Sequence, residues 1–466
     1  MSKKRVSYWR QKSCRKAAAT LNRAHSNTLA EEGSKCTMQA WADRKAPELF
    51  SGCIPSGQGN IHHTCGIYYI ILMCQMMSAL ALCGVGAEKI LANELKKLGL
   101  PVLGAVFGKV RFKADLRGLY RALMSLRTAD RVLLEAGSFS ALDFDALFEG
   151  VRAVPWEDLI PQGMGVRVAK VRVNRSQLHA VASVQGIVHK AAADRLCQHR
   201  GLNRLPEQGK QGELRVYIEK DQVALLLDLS GEPLFKRGYR TEGGIAPLRE
   251  TTAAAILLLA SWRRKFPLYD PFCGSGTIAI EAALYAWDMA PGLGRDFALS
   301  DLALGNRELE QTVRAELLGQ VDFSRIIRIY GSDEDPRAVS LAQSNEVRAY
   351  ELAQGKGAAG RGIRPKLPLP WLPDFRVCPL QQLKAHYPVQ DGFIITNPPY
   401  GKRLGDRESA ETTYQHMDIL SRKFPGWKLG VITNHPGFES FFGKKADACK
   451  ALTHGAVPSY FFLFTV

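Results

Sequence analysis

KFPLYDPFCGSGTIAIEAALYAW (Lys265–Trp287) is the stretch that decides the fold. Its apolar lead-in ends at Asp270 and reads as a buried strand. Gly274 and Gly276 then let backbone approach a ligand closely. The apolar run from Thr277 reads as a helix, whose amide-rich N-terminus faces whatever sits in the loop. The loop matches neither of two familiar phosphate cradles. It lacks the third glycine of a dinucleotide fingerprint, and no lysine follows its second glycine as a Walker loop requires. A GxG alone also suits a plain tight turn, so the neighbouring units carry the weight.

Those units repeat the pattern. RIIRIYGSDEDPRAVSLAQSNEVRA (Arg325–Ala349) reads strand, acidic turn, helix. DGFIITNPPYGKRL (Asp391–Leu404) is a strand and turn, and WKLGVITNHPGFESFF (Trp427–Phe442) is strand, turn, helix. TTAAAILLLASW (Thr251–Trp262) is a helix ahead of them all. Repeating βα units predict an α/β fold with a parallel, doubly wound sheet. Ligands of such sheets bind at the C-terminal strand edge.

That edge collects polar residues. An acidic residue at the tip of the strand neighbouring the glycine loop can accept both ribose hydroxyls of an adenosine-containing cofactor. Asp333 and Asp335 are the candidates; Asp335, just ahead of Pro336, also suits a helix cap. FIITNPPYGKRLG (Phe393–Gly405) stops an apolar strand with two prolines, neither of which can donate a ladder hydrogen bond. Asn397 offers a carbonyl acceptor and the Pro398 carbonyl a second. Together they can grip an exocyclic amino group by its two hydrogens and turn its lone pair toward a sulfonium methyl group. Pro399 stiffens the turn. Tyr400 can stack on a splayed-out base, and Lys402 and Arg403 can hold flanking phosphates.

The chain before this domain falls into three parts. Residues 1–76 are polar, carry no sustained apolar period and are left unassigned, as a disordered or non-native extension. Residues 77–150 read as a small α+β domain. Residues 151–233 form a second, with an alternating strand at Val166–Val173 and a basic cluster of Arg167, Lys170, Arg172, Arg175 and Lys190. The catalytic domain spans 234–466. The insert Gly355–Pro373 reads as a loop.

Composition narrows the class. The chain has 466 residues, 46% hydrophobic and 23% charged, as a soluble multidomain protein has. Its net charge of +17 attracts polyanions, of which nucleic acid is the commonest. Ten cysteines form no CxxC pair, and Cys53–Cys65, with His62 and His63, matches no standard zinc spacing. No metal, reduced thiols and a cytoplasmic location are expected. The start, MSKKRVSYWRQKSCRK, has no apolar core of a signal peptide. The run Ile67–Cys83 is short for a membrane span and is expected to hold a buried strand in its second half.

DPFCGSGT, GSDEDP and NPPYGKRL resemble the cofactor loop, ribose acid and catalytic motif of S-adenosylmethionine-dependent amino-methyltransferases. More narrowly, residues 77–466 resemble the THUMP-domain 23S ribosomal RNA guanine-N2 methyltransferases. LFKRGYRTEGGIAPLRETTAAAIL (Leu234–Leu257) is the most specific stretch, supported by RTADRVLL, LFEGV and SVQGIVHKAA. The resemblance implies a ferredoxin-like domain, a THUMP domain that grips RNA, and a Rossmann-like domain with a reversed last strand in VPSYFFLFTV. It implies cofactor contacts from Asp270, Pro271, Phe272, Cys273, Gly274, Gly276, Thr277 and Asp333, with Thr251 near the cofactor's methionine end. It implies ribosomal RNA as partner and no membrane; it is silent on oligomeric state.

Three departures stand out. Residues 1–76 match nothing in that family, and the chain carries one catalytic domain, not two. Pro379 replaces an aspartate near the cofactor adenine, leaving Gln381 or Gln382 for that contact. The motif itself does not choose the base: an adenine N6 amino group fits the same grip. A binding protein with a degenerate pocket is the rival from another class, and a cysteine-nucleophile pyrimidine methylase is disfavoured because no Pro-Cys pair exists.

Overall fold

The computed structural model describes residues 75–240, 248–326, 328–355, 372–383, 391–399, 404–455 and 457–466. The unassigned residues 1–74, the Cys53–Cys65 cluster, most of the Gly355–Pro373 insert, and Tyr400, Lys402 and Arg403 lie outside them.

Two seven-stranded sheets form the described part. The first has strands β1 (Met77–Cys83), β2 (Val102–Val106), β3 (Lys109–Ala114), β4 (Ala129–Ser140), β5 (Gly165–Asn174), β6 (Gln211–Glu219) and β7 (Gln222–Asp228). Their order is β2-β3-β1-β4-β7-β6-β5. Helices α1 (Glu88–Lys97), α2 (Leu116–Ser125), α3 (Phe144–Arg152) and α4 (Val181–Arg200) contribute buried apolar faces to its core. Helix starts follow their caps: Asp115 accepts from Gly118 N at 2.6 Å and Asp143 from Ala146 N at 2.8 Å. The strands expected in two small domains share one sheet, because β4 pairs antiparallel with β7 from Leu133↔Asp228 to Ser140↔Gln222.

The second sheet is the α/β one. Its strands are β8 (Leu268–Asp270), β9 (Ile329–Asp333), β10 (Asp374–Val377), β11 (Phe393–Thr396), β12 (Lys428–Thr433), β13 (Ala448–His454) and β14 (Val457–Thr465). Their order is β10-β9-β8-β11-β12-β14-β13. The first five are mutually parallel, and β14 runs antiparallel to β12, so the last strand is reversed. The order reverses beside β8, which opens a crevice at the C-terminal edge. Helices α5 (Glu250–Leu259), α6 (Thr277–Ala286), α7 (Arg307–Leu318), α8 (Pro336–Ala353), α9 (Leu404–His416), α10 (Asp418–Lys423) and α11 (Phe438–Phe442) complete the described set. Strands β8 and β11 are buried along their whole length, as central strands covered on both faces are.

The two sheets are joined closely. Val85 N donates to Thr453 Oγ1 at 2.8 Å, and Thr453 N to Val85 O at 3.0 Å. A Cβ on Gly86 (φ +93°) would lie 2.3 Å from Ala451 O, so only glycine lets that turn reach β13. Gly292 N donates to Met124 O at 2.8 Å and Leu299 N to Leu229 O at 3.0 Å. Among the described residues no helix is long and apolar enough to cross a membrane, and no group of three or more His, Cys, Asp or Glu side chains could hold a metal ion.

Candidate active site

The tips of four adjacent parallel strands build the site. Tip one is Asp270, 1% exposed, at the end of β8. Its Oδ1 accepts from Phe272 N at 3.1 Å and from Thr396 Oγ1 at 2.6 Å. Burial, opposed by these two bonds and aided by the charge of Asp333, pushes its carboxyl up to about 7. The Pro271–Gly276 loop follows. Cys273 N donates to Ser332 O and Gly276 N to Cys273 O, at 2.9 and 2.8 Å, and Asn345 Nδ2 donates to Ser275 O at 3.0 Å. Gly274 (φ +52°) and Gly276 (φ +81°) hold left-handed conformations. Thr277 opens α6 and takes a hydrogen bond from Arg240 Nη2.

Tip two is Asp333. Its Oδ2 accepts from Gly274 N at 2.9 Å and its Oδ1 from Asp335 N at 3.0 Å, which fixes the acid against the glycine loop. Asp335 instead caps α8, accepting from Arg337 N at 2.9 Å. Asp335 is therefore the helix cap, while the Asp333 carboxylate faces the glycine loop. Pro379 sits beside this tip, since Cys378 N donates to Asp333 O at 2.9 Å, and Gln381 and Gln382 are both exposed there.

Tip three is Thr396–Asn397, on β11 next to β8. The buried Thr396 hydroxyl ties this strand to Asp270 and so to the glycine loop. Among the described residues no hydrogen bond holds the half-buried Asn397 side chain; Pro398 is buried and Pro399 exposed. Tip four is Thr433–His435, after β12. Thr433 Oγ1 takes His435 N at 3.1 Å and pairs with Tyr414 Oη at 3.0 Å, while His435 Nε2 meets Glu411 Oε1 at 3.2 Å.

The other expected residues are placed as follows. Thr251 is buried, with its hydroxyl donating to Asp130 Oδ1 of β4 at 2.7 Å. Burial and the carboxylates of Asp270 and Asp333 push the Cys273 thiol up, which opposes a thiolate nucleophile. Arg167, Lys170 and Arg172 lie on β5, where a bulge between Val168 and Lys170 resets the alternation. Arg167 pairs with Glu213, and Arg172 lies 5.6 Å over the Tyr217 ring. Lys190 is on α4, 6.0 Å over Phe148, and exposed Arg175 turns out of β5 at φ +50°. Sequence reasoning missed Thr396, Arg240, Glu411 and His435. Thr396 had a signal, a polar residue ending an apolar run; the others are lone polar residues without a pattern.

A family model described as "RMKL-like, methyltransferase domain" matches residues 237–354 and 373–459, and one described as "RlmL ferredoxin-like domain" matches 78–133. YpsC of Bacillus subtilis (strain 168), which carries the name of an RNA methyltransferase, is 34% identical over 382 residues, covering 82% of this chain and 94% of that protein. The chain belongs to the RMKL-like methyltransferase family. The ribosomal RNA large subunit methyltransferase K/L of Cellvibrio japonicus (strain Ueda107) is 33% identical over 404 residues, 83% of this chain. This chain spans about half the length of such K/L relatives, 51% in that case. The crystal structure of SMU.472, described as a methyltransferase complexed with SAH, superposes with a TM-score of 0.74 at 34% identity, covering 84% of this chain and 99% of that one. A structure from Listeria monocytogenes (str. 4b F2365), described as an N6-adenine-specific DNA methylase, gives 0.73 at 34% identity, with 88% and 99% covered.

Proposed function

We propose that the chain transfers a methyl group from S-adenosylmethionine to the N2 amino group of a guanosine in 23S ribosomal RNA, in the cytoplasm. The observation that carries this reading is the Asn397 amide, held at a strand tip that Thr396 ties to the glycine loop. Asn397 Oδ1 and the Pro398 carbonyl accept the two amino hydrogens and orient the nitrogen lone pair. No strong base is needed before attack, because these oxygens take up positive charge as it develops on nitrogen.

The cofactor fits the residues present. A Cβ on Gly274 would meet nothing within 4 Å, so that glycine borders open space at the loop. Asp333 borders the same loop with a carboxylate aligned by two backbone amides. When bound there, S-adenosylmethionine supplies an electrophilic methyl group on a sulfonium. Asp333 would take the ribose hydroxyls, the glycine loop the amino-acid side, and Gln381 or Gln382 the adenine that Pro379 cannot bond. Residues 151–233 act as a THUMP domain, with β5 presenting cations to the RNA backbone.

N6-adenine methylation is the second reading, favoured by the description of the Listeria relative. Labelled S-adenosylmethionine, unmodified 23S ribosomal RNA and duplex DNA, with products digested to nucleosides, separate the two. Label in N2-methylguanosine is expected; label in N6-methyladenosine would overturn the base assignment. Asn397→Ala should lose most transfer, by at least about 100-fold, with unchanged thermal unfolding. Near-normal turnover in that variant would sink the grip.

A further inference from the structure

We propose that a cavity between the chain leaving β7 (Gly231–Arg240) and the loop ahead of α7 (Arg295–Leu302) binds one unpaired nucleotide of the RNA substrate. This rests on the reading of RNA as substrate.

The cavity measures about 900 Å³, a size that suits a small-molecule site. Polar atoms without partners collect around it. Glu250 lines the cavity, is 3% exposed, and its Oε2 has no hydrogen-bond partner. Arg240 and Arg295 line it too, and the Nε of each is buried and unbonded. Buried polar groups are normally bonded, because leaving them bare is costly. Three such atoms on residues of one cavity mark a place for a ligand.

The residues state what that ligand carries. The Arg295 guanidinium donates to the carbonyls of Ser230, Glu232, Pro233 and Lys236 rather than to an acid. Burial and the neighbouring Arg237 guanidinium lower its pKa to about 10, so an anion beside it would be favoured. Lys236 lines the same cavity and is exposed. Phe235, half-buried, adds an aromatic ring to the wall. A nucleotide answers all three. Its phosphate suits the cations, its flat base stacks on an aromatic ring, and every base carries an N–H donor for the bare Glu250 oxygen.

The surroundings favour RNA over a free nucleotide. Two lining acids are already neutralised: Asp228 takes Arg131 at 2.5 Å and Arg215 at 3.3 Å, and Glu213 pairs with Arg167 on β5. Arg215 stands in register with Lys170 of β5. A row of cations therefore runs from β5 to the cavity wall, along which a strand of RNA can lie with one base turned in.

The test measures binding of unmodified 23S ribosomal RNA to the full chain, without methyl transfer. Phe235→Ala should weaken it at least about 10-fold and leave the slope of log affinity against log salt unchanged, as loss of stacking does. Lys236→Gln, at an exposed position, should instead lower that slope by about 1. S-adenosylmethionine affinity and thermal unfolding should stay at wild-type values in both. Affinity within about twofold of wild type in Phe235→Ala, or an unchanged slope in Lys236→Gln, would overturn the site. Cytidine monophosphate, which is neither cofactor-like nor a guanosine, tests the other source. If it binds wild type and both variants lose it while their RNA binding stays normal, the cavity serves a free nucleotide and the RNA assignment fails. Wild-type chain with no affinity for the RNA would refute the RNA reading itself, whatever the variants do.

Discussion

At Asp270 a single carboxyl records how the site is built. The unfolded chain ionises it near 3.8, whereas burial raises it to about 7 in the fold. The folded protein therefore holds a proton that the unfolded chain gives up between those values. Stability from this group is fully present below about pH 4, falls as pH rises, and is lost above about pH 7. Asp270→Asn mimics the protonated form and can still accept from Thr396. Urea midpoints should fall less steeply for the variant than for wild type between about pH 4 and 7. Identical slopes would mean that the carboxyl is charged throughout. This residue was legible in the sequence because it ends a short apolar run before a glycine loop. Its bond to Thr396 was not, since 126 positions separate the two.

Elements were legible where pattern and burial agree. The strands ending at Asp270 and Thr396 are wholly inside and carry apolar runs, whereas the half-buried strand ending at Asp333 is marked by the acidic turn that follows it. β2 and β13 escaped because they lie at sheet edges and are largely exposed, which leaves no alternation to read. The joint between sheets escaped too, as it rests on isolated polar residues. Arg127 shows what such a residue does. It precedes β4, is 9% exposed, and lies 5.3 Å over the Tyr285 ring on α6. Its Nη2 donates to Met289 O at 2.5 Å, and its own backbone N–H donates to Glu94 on α1 at 2.9 Å. Burial lowers its pKa while Glu281 and Glu94 oppose the shift. Arg127→Met keeps the stem but strips the charge from a buried network and removes the bond to the Met289 carbonyl, just past α6. It should cost about 3 kcal/mol in urea unfolding. A loss below about 0.5 kcal/mol would show that water replaces the guanidinium without penalty.

At the scale of the molecule, the described residues bring several positive charges together around β5. β5 is the terminal strand of the first sheet, and its cations gather with those of neighbouring strands. Burial and the nearby charges of Arg172, Arg215 and Arg131 lower the Lys170 pKa, so these four groups crowd one another. Asp228, 1% exposed, bonds Arg131 at 2.5 Å and Arg215 at 3.3 Å, which anchors the inner part of the cluster. Lys170 and Arg172 remain exposed at its rim. Repulsion within such a cluster is relieved by a polyanion, which also releases its own counterions on binding. Lys170→Gln with Arg172→Gln should therefore weaken binding to 23S ribosomal RNA and lower the slope of log affinity against log salt by about 1.5. S-adenosylmethionine affinity should not move, because the cofactor loop belongs to the other sheet. An unchanged salt slope would place the RNA on another face. A matching loss of cofactor affinity would mean that the substitutions act through the joint between sheets and not through phosphate contacts.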